Sequence, residues 1–269
     1  MIVRLEAGLG NQMFQWAFGR CVSAVRNEEL FFEKHDLDGG NPRAYSLGAF
    51  DIDLKFKEPD GAPQFIETHE KFGFDPDVYK VPNGTHFIGN WQTEKYFDGE
   101  MVRRELGCRE PFSSQTLSVG DQIVREPASC SVHVRRTDYL IPSTIAYHGD
   151  VGLDYYDRAM DSIGDYAPDV QFFVFSDDPE WCKDNFRSPC RVVDHNKPGS
   201  GATGPGKEHE DLYLMSLCRH AIIPNSSFGW WGCWLRDPKN QGLTIAPKVW
   251  FRKEGLRYDD IVPDRWIKL

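Results

Sequence analysis

Residues 171–175, Gln-Phe-Phe-Val-Phe, decide the fold of this chain. The run is apolar without alternation, which is typical of a strand buried on both faces of a parallel sheet. A second strand is predicted at residues 129–134, and between the two runs Leu153, Tyr156 and Ile163 fall on one face of a helix. Strand, helix and strand in this order predict a βαβ unit, and therefore an α/β fold.

The same alternation continues on both sides of this unit. Towards the C-terminus we predict strands at residues 191–193, 221–224 and 243–246, with helices at 211–218 and 228–235. At the N-terminus, a strand at 2–5, a glycine loop at 7–12 and a helix at 13–24 open another βαβ unit. The pattern is irregular over 36–125. We therefore expect two α/β halves, residues 1–125 and 126–250, and a tail at 251–269 that packs back.

Composition and charge narrow the functional classes. The chain has 269 residues, is 40% hydrophobic and carries a net charge of -10, which argues against a nucleic-acid partner. No apolar run approaches the ~20 residues that span a bilayer, and the N-terminus does not read as a signal peptide. The seven cysteines show no metal-binding spacing, so reduced thiols in the cytoplasm are expected.

Three polar segments follow predicted strands: residues 133–139, 176–178 and 225–231. Because the carboxyl ends of parallel strands meet at one edge, we expect these segments to line one crevice. Arg135 and Arg136 offer planar donors for phosphate, and a helix N-terminus after Asn225-Ser-Ser227 offers a second anion site. Together they suggest a diphosphate ligand. Taken singly, the arginines also fit a surface salt-bridge cluster and the serines a simple helix cap.

Four motifs resemble known fucosyltransferases. Residues 133–139, His-Val-Arg-Arg-Thr-Asp-Tyr, resemble the first signature motif of the α-1,2-, α-1,6- and protein O-fucosyltransferases. Residues 8–15 (Gly-Leu-Gly-Asn-Gln-Met-Phe-Gln), 210–216 (Glu-Asp-Leu-Tyr-Leu-Met-Ser) and 225–231 (Asn-Ser-Ser-Phe-Gly-Trp-Trp) resemble the α-1,2-fucosyltransferases of glycosyltransferase family 11. Gly229 departs from the pattern, since many relatives carry serine there. The short chain without a Golgi anchor resembles the bacterial type.

The resemblance implies a GT-B fold, with two Rossmann-like domains and a cleft between them. The N-terminal domain would lie on the acceptor side, and the C-terminal domain would bind GDP-fucose. The implied reaction is inverting transfer of L-fucose from GDP-β-L-fucose to the 2-hydroxyl of a terminal β-galactoside. The implied partners are GDP-fucose as co-substrate and a β-galactoside-terminated oligosaccharide, with no cofactor and no metal. The expected location is cytoplasmic, and a peripheral position at the inner face of the membrane stays open.

The resemblance also implies roles for individual residues. The catalytic candidates that it implies are Arg135 on the donor phosphate and Asn11 at the reaction centre. Asp138 is predicted as general base from its position, since it follows Arg135 on the loop that leaves the same strand. As an alternative, Asp138 pairs with Arg136 or caps the turn. Acceptor-side candidates are Gly10, Asn11 and Gln12. Together with the strand-end residues, the donor-binding candidates are His133, Arg135, Arg136, Asp177, Asp211, Asn225, Ser226, Ser227 and Phe228.

Other interpretations fit less well. A metal-dependent transferase would use Asp51-Ile52-Asp53, but no strand is predicted ahead of it. Residues 201–207 match a phosphate-binding P-loop, yet Glu208 stands where serine or threonine should bind magnesium, so a glycine loop at 199–206 is favoured. A non-catalytic sugar-binding protein could stack sugars on Trp230, Trp231 and Trp234 but would not need paired arginines. A fucosyltransferase of another linkage also stays open.

Overall fold

Both predicted sheets are parallel, and each belongs to its own unit of the chain. The computed structural model describes residues 1–37, 43–68, 72–107, 111–186, 189–197, 206–236 and 241–269. Unit 1 comprises the described residues of Met1–Pro111 together with Gly255–Pro263. Unit 2 comprises the described residues of Phe112–Pro198 and Lys207–Glu254 together with Asp264–Leu269.

The described part of unit 1 contains a four-stranded parallel sheet in the order β2-β1-β4-β3. Its strands are β1 (Ile2–Leu5), β2 (Phe31–Lys34), β3 (Gln64–Ile66) and β4 (His86–Ile88), and its helices are α1 (Leu9–Arg26) and α2 (Gly99–Glu105). The predicted strand and helix at the N-terminus are confirmed, but α1 begins at Leu9, so residues 9–12 of the predicted glycine loop form the first turn of this helix. Helix α1 buries Phe18 on the ring of Trp91 at 4.1 Å between centroids, which fixes the helix against the loop after β4.

The described part of unit 2 contains a six-stranded parallel sheet in the order β10-β9-β8-β5-β6-β7. Its strands are β5 (Ser129–Val134), β6 (Gln171–Ser176), β7 (Cys190–Val193), β8 (His220–Ile222), β9 (Thr244–Ala246) and β10 (Ile267–Lys268). Its helices are α3 (Ser114–Arg125), α4 (Pro142–His148), α5 (Gly152–Tyr166), α6 (Pro179–Asn185), α7 (Glu208–Leu217) and α8 (Ser227–Trp234). The chain runs outward from β5 to β7 and then returns to β8, so the strand order reverses between β5 and β8. Ligands of such sheets bind beyond the carboxyl ends of the strands at this reversal.

The boundary between the units differs from the one predicted at residue 125. It lies before Phe112 because α3 buries Val119 and Ile123 against Phe173 and Leu214, which belong to β6 and α7. The predicted tail at 251–269 is divided between the two units. Residues 264–269 carry β10, which pairs with β9, and residues 255–263 belong to unit 1.

Two further expectations concern thiols and membranes. Cys108 lies outside the described residues; the other six cysteines are free thiols, and all of these but Cys190 are buried. Within the described ranges, no helix combines the length and the apolar character that crossing a bilayer requires.

Candidate active site

The carboxyl edge of the unit 2 sheet brings the three predicted polar segments together. The guanidinium of Arg135, after β5, lies 3.0 Å from the carboxylate of Asp177, after β6. The Tyr139 hydroxyl donates to the Asn225 carbonyl, after β8, at 2.9 Å. These contacts link the segments on both sides of the strand reversal. The predicted convergence is therefore confirmed.

Arg135 is held between two carboxylates. Its Nη1 lies 3.0 Å from Asp177 Oδ2, and its Nη2 donates to Asp138 Oδ1 at 2.5 Å. Asp177 is itself fixed, because it accepts from the Arg136 amide at 2.9 Å and from the Thr137 hydroxyl at 2.5 Å. The guanidinium is thus oriented before any ligand arrives, and it has five N–H donors to share. This geometry gives Asp177 a positioning role, beside the predicted one in donor binding.

Arg136 points away from this corner. Its guanidinium lies over the Trp181 ring at 3.5 Å, and its Nε donates to Asp178 at 3.2 Å. Asp178 also caps α6, where Pro179 is the first helical residue. The prediction of Arg136 as a donor ligand is therefore corrected: Trp181 supplies a stacking surface that draws the side chain onto α6.

Asp138 was predicted as the general base. It lies in the short 3-10 helix Thr137–Leu140, and its Oδ1 accepts a hydrogen bond from Arg135. The alternative of a structural ion pair is the one that this geometry favours, although the partner is Arg135 and not Arg136. A carboxylate that holds Arg135 orients its guanidinium, so this geometry gives Asp138 a positioning role.

The start of α8 offers backbone donors to an anion. Its first helical hydrogen bond runs from the Trp230 amide to the Ser226 carbonyl at 2.9 Å, so the amides of residues 227–229 precede the helical ladder. Ser226 is the N-cap, and within the described residues its side chain makes no capping hydrogen bond. These amides, the helix dipole and the hydroxyls of Ser226 and Ser227 are the groups that the predicted anion site would use.

Asn225 differs from its serine neighbours. It is buried, and its amide nitrogen donates to the carbonyls of His148 at 2.7 Å and Trp250 at 3.0 Å. The prediction that Asn225 contacts the donor is therefore corrected. Its amide holds the loop before α8 in place, because two buried carbonyls need a donor at this point.

His133 and Phe228 form a packed pair within unit 2, with ring centroids 5.3 Å apart. A Cβ on Gly229 would lie 2.6 Å from His133 Nδ1, so the glycine makes room for the imidazole. Burial lowers the pKa of His133 to about 3, which keeps the ring neutral. The departure at Gly229 therefore has a structural consequence. His133 and Phe228 stay predicted donor contacts.

Asp211 lies at a second polar corner, at the start of α7. Asn196, which follows β7, donates to its carboxylate at 2.8 Å. Burial raises the pKa of Asp211 to about 7 against the lowering effect of that hydrogen bond. The sequence analysis missed Asn196, although a polar residue just after a strand of this sheet is the signal that identified the other segments. Asp211 stays a predicted donor-binding residue.

The predicted glycine loop of unit 1 is half-buried or buried throughout, and its residues 9–12 lie in the first turn of α1. Gln12 is 0% exposed, and its amide donates to the carbonyls of Ala7 and Ala44 at 2.8 and 2.9 Å. Gln12 therefore supports the loop and does not face an acceptor, which corrects that prediction. Asn11 is half-buried and accepts a hydrogen bond from Gln92 at 2.8 Å, a partner that the sequence analysis missed. Gly10, although buried, stays predicted on the acceptor side with Asn11.

The structure also places residues on which the competing interpretations depend. Asp51 and Asp53 are exposed and follow a 3-10 turn, not a strand. Most of the glycine loop at 199–206 lies outside the described residues. Trp230, Trp231 and Trp234 are at most 3% exposed, so they are packing residues and cannot stack on a sugar.

Parallel sheets in both units, with an oriented arginine and a helix N-terminus at the strand reversal of unit 2, define an α/β glycosyltransferase of the GT-B class. Solved structures with this fold include POFUT1 (TM-score 0.51, 11% identity, covering 90% of this chain and 97% of that one). A second is Arabidopsis thaliana FUT1 in complex with GDP (TM-score 0.52, 11% identity, 97% and 74%). The chain belongs to glycosyl transferase family 11, whose model matches residues 77–269.

Characterised relatives agree with this family. An α-1,2-colitosyltransferase of Escherichia coli is 34% identical, covering 100% of this chain and 98% of its own. The O-antigen biosynthesis glycosyltransferase WbnK of Escherichia coli is 32% identical, covering 98% and 99%. Human galactoside α-(1,2)-fucosyltransferase 1 is 33% identical, covering 51% of this chain and 38% of its own.

Proposed function

We propose that this family 11 glycosyltransferase is a galactoside α-1,2-fucosyltransferase. It moves L-fucose from GDP-β-L-fucose to the 2-hydroxyl of a terminal β-galactoside, with inversion at the anomeric carbon. The observation that carries the proposal is Arg135, fixed by Asp177 and Asp138 at the same sheet edge as the free N-terminus of α8. Two independent anion-binding groups fit the diphosphate of a nucleotide sugar.

Negative charge grows on the β-phosphate of GDP as its bond to the sugar breaks. Arg135 supplies a planar cation there, and the amides of residues 227–229 supply aligned dipoles. Groups that are oriented in advance stabilise this charge without reorganising during the reaction. We therefore propose that the chain's own donors serve in place of a metal ion and that no cofactor is needed.

Inversion requires one displacement, in which the acceptor oxygen bonds to the anomeric carbon as GDP leaves from the opposite face. We propose that Gly10 and Asn11 contribute to acceptor binding, with Asn11 oriented by Gln92. Asp211 and His133 contact the guanine side of the donor. The cytoplasmic location, and a peripheral position at the inner membrane face, also stay predictions.

A second candidate function has a specific observation in its favour. The relative that covers 100% of this chain is an α-1,2-colitosyltransferase. Colitose differs from fucose by the absence of the 3-hydroxyl, so the two donors differ by a single polar group. If colitose is the transferred sugar, Arg135, Asp177 and α8 have the same roles as in fucose transfer.

The experiment offers both donors to the purified chain. GDP-fucose or GDP-colitose is incubated with lactose and with type 1- and type 2-terminated glycans, and mass spectrometry follows the products. We expect a fucosylated product from at least one β-galactoside, with colitosyl transfer slower. Faster transfer of colitose would establish the second candidate. Binding of GDP-fucose without any product would indicate the non-catalytic sugar-binding protein.

A further inference from the structure

His148 ends helix α4 beside the Arg135 loop. Its ring stacks on Tyr139 at 4.9 Å between centroids, and it meets the rings of Tyr147 at 4.8 Å and Phe251 at 5.4 Å. Its carbonyl accepts the hydrogen bond from Asn225. Because Tyr139 and Asn225 belong to the segments on either side of the strand reversal, His148 is fixed against the candidate active site.

The imidazole of His148 has a polar atom without a partner. Nδ1 is buried, and neither ring nitrogen makes a hydrogen bond within the ranges that the structure describes. Structural histidines normally use at least one nitrogen in a hydrogen bond, since a buried polar atom without a partner destabilises the fold. With Nδ1 enclosed, Nε2 is the nitrogen left to meet a ligand.

A cavity adjoins this residue. Its volume is about 330 Å³, within the range of roughly 300–1,000 Å³ that small-molecule sites occupy. His148 and Asn225 line this cavity, and so do Lys248 and Arg252. The cavity lies beyond the carboxyl ends of β8 and β9, on the ligand side of the sheet. The cavity therefore offers an acceptor sugar a preformed space beside His148.

The charge state of His148 suits a proton acceptor. Burial lowers its pKa, the nearby Asp138 carboxylate partly offsets this effect, and Arg135 adds to the lowering. The ring is therefore neutral at pH 7 and keeps a free lone pair. The neighbouring carboxylates are less suitable, because Asp138 and Asp177 are both engaged with Arg135.

We propose that His148 is the general base that accepts the proton of the acceptor hydroxyl. This inference rests on the proposed function. In the step, the acceptor oxygen forms a bond to the anomeric carbon while the bond from that carbon to the phosphate oxygen breaks. The bonding electrons leave with GDP, and the hydroxyl proton moves to His148, which later releases it to solvent. Asp138 stabilises the imidazolium formed in the step.

Two substitutions test the role of the ring. His148→Phe keeps a stacking ring but removes the base, and His148→Gln keeps a polar side chain. Both should lower kcat by about 10²–10⁴-fold, while the Kd of GDP-fucose measured by calorimetry and the Tm stay near the wild-type values. His35→Gln, the same change in unit 1, is the control and should leave kcat unaltered.

Two readouts separate a base from a structural residue. Imidazole added to His148→Ala should restore part of kcat. The wild-type kcat should fall at acid pH, with an inflection below 6.5, and this limb should vanish in His148→Gln but persist in Asp138→Asn. The charged or titratable groups that adjoin His148 or share its cavity are Arg135, Asp138, Tyr139, Tyr147, Asp150, Arg158, Lys248 and Arg252.

Failure of this inference can be told apart from failure of the proposed function. If the wild type transfers fucose and His148→Phe keeps its kcat, His148 is a packing residue and the proposed function stands. A loss of kcat together with a lower Tm and no rescue by imidazole would also make it structural. If the wild type neither binds nor consumes GDP-fucose, the proposed function itself is wrong.

Discussion

At the residue scale, Arg135 occupies a position that a planar cation fits and a point charge does not. Two of its nitrogens meet two different carboxylates, Asp177 at 3.0 Å and Asp138 at 2.5 Å. Lysine keeps the charge but cannot span both partners and also face a phosphate. We expect Arg135→Lys to lower kcat by at least about 100-fold in a transfer assay, with the fold intact.

Arg136→Lys is the matched comparison, since it removes a guanidinium from the adjacent residue. Arg136 stacks on Trp181, so this change should lower the Tm and affect kcat far less. Full activity in Arg135→Lys, or equal losses of kcat in the two variants, would contradict the role of Arg135.

A second prediction at this scale concerns Asp211, whose pKa burial raises to about 7. If its carboxylate accepts hydrogen bonds from guanine, protonation removes an acceptor, so affinity for GDP should weaken as pH falls through 7. The Kd from calorimetry should rise towards tenfold per pH unit below 7. Asp211→Asn should bind weakly at every pH. Glu208→Gln, on the same helical turn, should keep a pH dependence with its midpoint moved to lower pH, because the Glu208 charge helps to raise the pKa of Asp211. A pH-independent Kd in the wild type would remove Asp211 from the guanine site.

At the scale of elements, the turn after β4 depends on a buried carboxyl. Glu67 Oε2 accepts from the amides of Asn90 at 2.7 Å and Trp91 at 3.1 Å, which holds Trp91 at φ 55. Glu67 Oε1 is buried without a partner among the described residues, and burial raises the pKa of Glu67 to about 7. Since the folded state binds this proton more tightly than the unfolded chain, the free energy of unfolding falls as pH rises from 4.5 through 7.

Glu67→Gln should therefore stabilise the protein by about 1–3 kcal/mol above pH 7 and change little near pH 4.5, measured by thermal unfolding at several pH values. Glu28→Gln is the control of opposite sign. The Gly84 amide, the N-terminus and Arg26 lower the pKa of Glu28 despite the opposing effect of burial, so this variant should lose stability at neutral pH. A Glu67→Gln variant no more stable than wild type at pH 8 would show that the carboxyl is not held protonated.

Elements with strong periodicity could be predicted from the sequence, and short or mixed ones could not. Strand β6 is an apolar run, β5 alternates apolar and polar residues, and α5 carries a clear apolar face, so all three could be placed within a few residues. Helix α3 was missed because its buried face includes Thr116 and Gly120, which weaken the apolar repeat. Strands β3 and β4 have three residues each, too few to show a period of two.

The candidate active site could likewise be predicted only in part. Its convergence was predictable, because parallel strands end at one edge. The partners of single side chains were not, because they come from distant parts of the chain. Trp181 draws Arg136 away from the edge, and the carbonyl of Ala44 takes up the amide of Gln12. Likewise, nothing in the sequence around His148 indicates that its ring lies near Arg135 and Asp138.

At the scale of the whole molecule, a chain with a net charge of -10 is proposed to bind a polyanionic nucleotide. The local electrostatic potential decides this binding, because an oriented arginine and a helix N-terminus outweigh the net negative charge of the chain at one sheet edge. It follows that fucosyl transfer should persist in excess EDTA. Dependence on manganese or magnesium would mean that the diphosphate is held by an ion and not by Arg135 and α8.

The most direct test is transfer from GDP-fucose to lactose in EDTA, with the product linkage read by NMR. We expect a single trisaccharide in which fucose is α-linked to the 2-hydroxyl of galactose. It should form at the same rate with and without the chelator. A product with another linkage or with retained β configuration, or product only after a divalent cation is restored, would contradict this prediction.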